Sequence, residues 1–206
     1  AQYNMGAAYF APVRFARPDD ILALPKPADD LAYLVSLWHY AQGSAYALKG
    51  DVQKATKELE ALGAYRDGDD MRVLGKVHET LPKILAVADQ VLRARIAVAQ
   101  KKWADAIAPL EEAAAIGDDI GWAGDPPWWD NPPRQSLGIA LLRAGRTREA
   151  IDTLRKALIV APNDGAVLYA LREASAALRD KPGVEEYGKL FDKAWAGSKP
   201  PDMDRL

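Results

Sequence analysis

Cysteine is missing from all 206 residues, and histidine occurs only twice. Without thiols the chain has no disulfide, no thiol nucleophile and no thiolate metal site. The compartment is left open by this, between cytoplasm and periplasm. An excess of one charge is missing too: 27 Lys and Arg stand against 29 Asp and Glu, a net charge of −2. Such a chain lacks the long-range attraction to phosphate that draws basic domains to nucleic acid or anionic lipid, so neither is expected as a partner. No apolar run approaches the roughly 18–20 residues that span a bilayer, and a soluble chain is expected. β-Branched residues are scarce, with 24 Val, Ile and Thr together against 38 Ala and 23 Leu. Alanine and leucine lose little on entering a helix, whereas strands favour branched side chains. With 49% hydrophobic residues to build a core, the expected fold is all-α.

Catalytic signatures are equally absent. His39 lies in the run Leu37-Trp38-His39-Tyr40, at a helical position that takes a large packing residue, and reads as a satisfied core imidazole. His78 is followed by Glu79, but Pro82 stands where the second histidine of a zinc-protease helix belongs. There is no glycine-rich phosphate loop, no nucleophile elbow and no calcium-loop spacing. The acidic run Asp67-Gly68-Asp69-Asp70 reads as a solvated loop that caps a helix rather than as a cation site. The pairs Glu111-Glu112 and Glu185-Glu186 are adjacent in sequence and so diverge around a helix. No catalytic residue, metal site or cofactor is expected, and the chain does not read as an enzyme.

What is present is a repeat. Residues 131–164 place Leu137-Gly138, Leu141, Gly145, Ala150, Leu154, Ala157 and Pro162 at fixed offsets. Gly138 and Ala150 fall where two antiparallel helices touch, Gly145 suits a left-handed helix terminus, and Pro162 stops the second helix. A shift of 44 residues recovers a copy at 87–120, with Ala94, Ala97, Ala106, Leu110 and Ala113 in phase. A shift of another 51 gives 36–69, with Gly43, Tyr46, Gly50, Ala55, Leu59 and Leu62. Residues 165–197 continue as a degenerate unit in which Val184 takes the small-residue position, followed by a tail at 198–206. Residues 1–35 form an incomplete unit, with Arg17-Pro18-Asp19-Asp20 opening a short helix. Inserts lie at 70–86, where Val73, Leu74 and Val77 suggest a further helix, and at 121–130, which is rich in Pro and Trp. The first residue is Ala, and residues 4–13 read as helix entered without a cap, so a piece of a longer protein is expected.

These offsets resemble the tetratricopeptide (TPR) pattern. The stretch Asp125-Pro126-Pro127-Trp128-Trp129-Asp130-Asn131-Pro132-Pro133-Arg134, feeding a Leu-Gly helix, is also similar to the C-terminal region of uncharacterised bacterial TPR proteins. The present chain differs from them at Trp129-Asp130-Asn131, where two Tyr are usual. The resemblance implies one domain over 1–206, a right-handed superhelical solenoid of about five antiparallel helix pairs.

In a TPR array the first helices of successive repeats line a concave face. The corresponding positions supply Tyr40, Arg95, Val98, Gln135, Ile139, Leu142, Arg143 and Tyr169, a mostly apolar strip interrupted by Arg95, Gln135 and Arg143. Two readings stand. The strip holds a peptide, with Arg95 or Arg143 taking a carboxylate, or the chain covers it with its own insert or tail. The chaperone-type clamp of two lysines and two asparagines is not matched. Trp122, Trp128 and Trp129 form either a rigid interface loop or a plug over helix ends. The expected function is a non-catalytic scaffold that binds a protein or peptide segment. The alternatives are a small-ligand or metal-associated accessory module, and self-association as a homodimer through the worn N-terminal unit.

Overall fold

The computed structural model describes residues 5–121, 128–129 and 131–205. Among these every regular element is helical: α1 (Ala7–Phe15), α2 (Pro18–Leu22), α3 (Ala32–Leu48), α4 (Val52–Arg66), α5 (Asp69–Val77), α6 (Thr80–Ala99), a 3-10 turn (Trp103–Ala106), α7 (Ile107–Ile120), α8 (Pro133–Arg143), α9 (Thr147–Val160), α10 (Gly165–Ala177) and α11 (Lys181–Ala194). The all-α expectation is met. The chain divides into two compact units, Ala1–Asn131 with α1–α7 and Pro132–Leu206 with α8–α11, where the sequence reading treats 1–206 as one domain.

In the first unit α3 is apolar nearly all round and buried along almost its whole length, as a helix must be when neighbours cover every face. It pairs with α4 and packs on α6, while α1, α2 and α5 also lie against it. The N-terminal segment is tied down by polar contacts. Trp38 Nε1 donates to the Leu24 carbonyl at 3.0 Å, and Gln42 Nε2 donates to that of Ile21 at 3.1 Å. Pro18 opens α2 in its first turn, where its missing N–H costs nothing. The second unit consists of the hairpins α8/α9 and α10/α11.

Four hairpins share one turn. Gly50, Lys101, Gly145 and Arg179 all have φ between 58° and 81°, and they are spaced by 51, 44 and 34 residues. After each, the next N–H returns to a carbonyl five residues back: Asp51 to Tyr46, Lys102 to Ala97, Arg146 to Leu141 and Asp180 to Ser175, all at 2.9 Å. These are Schellman closures, which satisfy the last carbonyls of each first helix and reverse the chain. The repeat inferred from side chains is therefore also a repeat of backbone conformation.

Close approach of the paired helices is visible at the small residues. A Cβ built on Gly138 would lie 2.5 Å from Leu154 Cδ2 of its partner helix, and one on Gly43 would lie 3.1 Å from Glu58 Cβ of its partner α4 and 2.7 Å from Leu92 Cδ2 of α6. In the last hairpin the position is Gly183, whose Cβ would meet Ser175 Oγ at 2.6 Å, so the small residue stands one place before Val184. The repeats also begin earlier than their motif. α3 starts at Ala32 and α6 at Thr80, because Leu81, Ile84 and Leu85 are fully buried and extend the helix backwards. The insert at 70–86 contains α5, which buries Met71 and exposes Val73 and Val77. The acidic run supplies no side-chain cap. Gly68 is the N-cap of α5, Asp69 and Asp70 sit in its first turn facing the positive end of the helix dipole, and Asp67 is held by Arg66 at 2.8 Å. That guanidinium keeps the Asp67 carboxyl below the ordinary carboxylate range.

Candidate functional site

The predicted strip is placed differently in the two units. In the first, Tyr40 on α3 is buried, and Trp129 lies against its ring at 5.1 Å between centroids. Trp129 also stacks on Phe10 of α1 at 5.3 Å and touches Trp128 at 6.2 Å. Trp128 donates its indole N–H to the Gly121 carbonyl at 2.7 Å. Both indoles are buried in this unit, so the reading in which the insert covers helix faces accounts for their position. Trp122 lies outside the described residues.

Arg95 on α6 is 8% exposed and holds its Cζ 5.8 Å from the Tyr40 ring. Its Nε and Nη1 are buried and make no hydrogen bond among the described residues, nor does the buried Oγ of Ser44. Val98, the next turn of α6, is half-buried. Elsewhere in this unit buried charge is matched. Asp89 takes Arg93 at 2.6 Å and Arg66 at 3.2 Å, and His39 Nδ1 lies 2.6 Å from Glu58 Oε2 across the α3/α4 hairpin. His39 also stacks on Tyr65 and is thus a half-buried packing group with a polar partner. No cluster of three or more His, Cys, Asp or Glu suited to a metal occurs among the described residues.

In the second unit Leu142, Arg143 and Tyr169 come together around a cavity of about 460 Å³, completed by Glu173 and Met203. Gln135 and Ile139 on α8 are buried, and Gln135 Oε1 has no hydrogen-bond partner among the described residues. Arg143 pairs with Asp204 at 2.5 Å, and the neighbouring Met203 is buried. Tyr169 is framed by Phe191 at 5.3 Å and by the Arg172 guanidinium at 4.6 Å. The segment that brings Met203 here is held at its start by Trp195, whose Nε1 donates to the Lys199 carbonyl at 2.7 Å. Trp195 in turn packs on Gly165, where a Cβ would come within 2.7 Å of the ring.

Phe10 and Met203 stand outside the predicted strip, and no repeat offset marks either. Phe10 meets a ring 119 positions away, and Met203 follows the last recognisable repeat position. Comparison of the chain with protein-family models, curated proteins and solved structures finds no match. No helix among the described residues is long and apolar enough to cross a membrane.

Proposed function

We propose that the chain is a TPR-like array of helix hairpins, a scaffold that binds an extended segment of a partner protein along its first helices. One observation carries this reading. The cavity between Leu142, Arg143 and Tyr169 is bordered by an irregular stretch of chain, which sets a buried apolar side chain, Met203, in its wall and a carboxylate, Asp204, on its arginine. An apolar anchor beside a charge-paired neighbour is how grooves of this kind take peptides. The same groups would take a partner segment in which a long apolar residue precedes an acidic one.

The test weakens the resident segment and supplies it in trans. A labelled peptide of residues 199–205 is titrated against the full chain carrying Met203→Ser and Asp204→Ser, and binding is followed by fluorescence anisotropy. Saturable binding that is lost on adding Arg143→Ala or Tyr169→Ala supports the reading. A flat titration, or binding indifferent to both residues, overturns it.

Self-association is favoured by a separate feature: Phe15, at the end of α1, is 76% exposed, with the Arg14 guanidinium over its ring. Light scattering that finds only monomer at high concentration removes that reading.

A further inference from the structure

We infer that the first unit holds a binding site for a small organic monoanion, a carboxylate with an apolar body, centred on Arg95. The site is independent of the peptide reading, which rests on the second unit. A buried guanidinium whose N–H groups lack acceptors is far more costly than a paired one, so a site that leaves them unpaired favours any ligand that supplies an acceptor. Arg95 is in that condition, with Nε and Nη1 both buried and unpartnered among the described residues. The contrast within the unit is sharp, since the carboxylate of Asp89 is shared by Arg93 and Arg66.

A second orphan lies on the neighbouring helix. Ser44 is completely buried and its Oγ has no partner among the described residues either. Ser44 stands one turn after Tyr40 on α3, so it shares a face with the ring over which the Arg95 guanidinium sits. α3 packs against α6, and Leu92, one turn before Arg95, fills the notch at Gly43, next to Ser44. Two packed helices thus each present a buried donor without an acceptor, beside an aromatic cluster of Tyr40, Trp129 and Phe10.

The chemistry of the ligand follows. A single cation calls for a single negative charge, because Arg66 and Arg93 are already engaged by aspartates. A carboxylate matches the planar donors of a guanidinium, and its second oxygen is within the capacity of one hydroxyl donor. The aromatic cluster favours an apolar body over a polar one. A phosphate dianion would keep an unmatched charge in an apolar setting.

The experiment follows the Arg95 Nε–H resonance of the full chain by ¹H–¹⁵N NMR during titration with sodium hexanoate, sodium acetate or sodium phosphate, alongside thermal melting. Hexanoate is expected to move the resonance downfield saturably and to raise the melting temperature, with acetate weaker and phosphate weaker still. Arg95→Met should raise the hexanoate Kd by about tenfold or more, and Ser44→Ala should weaken binding while the resonance still moves. If Arg95→Met does not fold, the wild-type titrations decide alone. An unmoved resonance, a response to phosphate equal to that with hexanoate, or an equal thermal gain in Arg95→Met overturns the proposal.

Discussion

Replacing Trp129 by alanine separates a packing role for the insert from an interface role. The side chain is 3% exposed and is enclosed by Phe10, Tyr40 and Trp128. Truncating a buried tryptophan removes its transfer free energy and leaves a cavity that neighbours fill only in part, a cost of about 3–5 kcal/mol. The first unit spans Ala1–Asn131, and at about 2.1 cal/mol/K per residue its unfolding entropy is roughly 0.28 kcal/mol/K. A loss of about 4 kcal/mol then lowers the melting temperature by about 15 °C. Trp129→Phe keeps one ring against Phe10 and Tyr40 and should recover part of the loss. Phe15→Ala is the control, because Phe15 is exposed at the end of α1 and substitutions of that kind stay within about 0.5 kcal/mol. Calorimetry of the three variants reads the difference. If Trp129→Ala melts within about 2 °C of the parent, like Phe15→Ala, the indole does not stabilise the unit and the packing argument is refuted.

Two further outcomes follow from single contacts. Gly138→Ala places a methyl 2.5 Å from Leu154 and should destabilise by about 1–2 kcal/mol, the overpacking cost exceeding the roughly 1 kcal/mol that alanine gains in a helix. Urea unfolding checks this, with Leu154→Ala relieving the clash in the double variant, and a more stable Gly138→Ala would sink the close-approach argument. Asp51 caps α4 by accepting the Lys54 N–H at 3.1 Å and pairing with its ammonium at 3.0 Å, and these contacts hold its carboxyl below the ordinary range. Its contribution is therefore present above the unfolded carboxylate range and is lost as the pH falls through the depressed folded value. The stability difference between the parent and Asp51→Asn should shrink toward acid, and a carboxyl NMR titration should place the Asp51 midpoint low. A midpoint at or above the usual value contradicts the cap.

Helix content and hairpin phase were legible because they depend on local physics. Abundant Ala and Leu favour helix, and a small residue at Gly138 or a glycine at Gly145 answers to a neighbour or a dihedral set within one hairpin. The same logic missed two turns, since Lys101 and Arg179 adopt the left-handed conformation without being glycine. There the Schellman hydrogen bonds and the packed helices on either side impose it, against a cost of roughly 1–2 kcal/mol per residue.

The strip of candidate binding residues shows where local reading ends. The resemblance to the TPR pattern put Tyr40, Arg95, Arg143 and Tyr169 along the first helices of successive repeats, and Leu142, Arg143 and Tyr169 line one cavity of the second unit. It could not say what lies on them. Trp129 covers Tyr40 and Met203 lines the second unit's cavity through contacts between residues far apart in sequence, whose closeness exists only after the hairpins have packed. By itself the sequence determined an all-helical chain of paired helices with phased small residues, because dihedral preference and one-face burial act within a few turns. The tertiary structure alone decided which of the candidate residues are covered, which are charge-paired, and that Arg95 and Ser44 have no hydrogen-bond partner for their buried atoms among the described residues. Burial and hydrogen-bond satisfaction are properties of the folded neighbourhood, and no short stretch of sequence carries them.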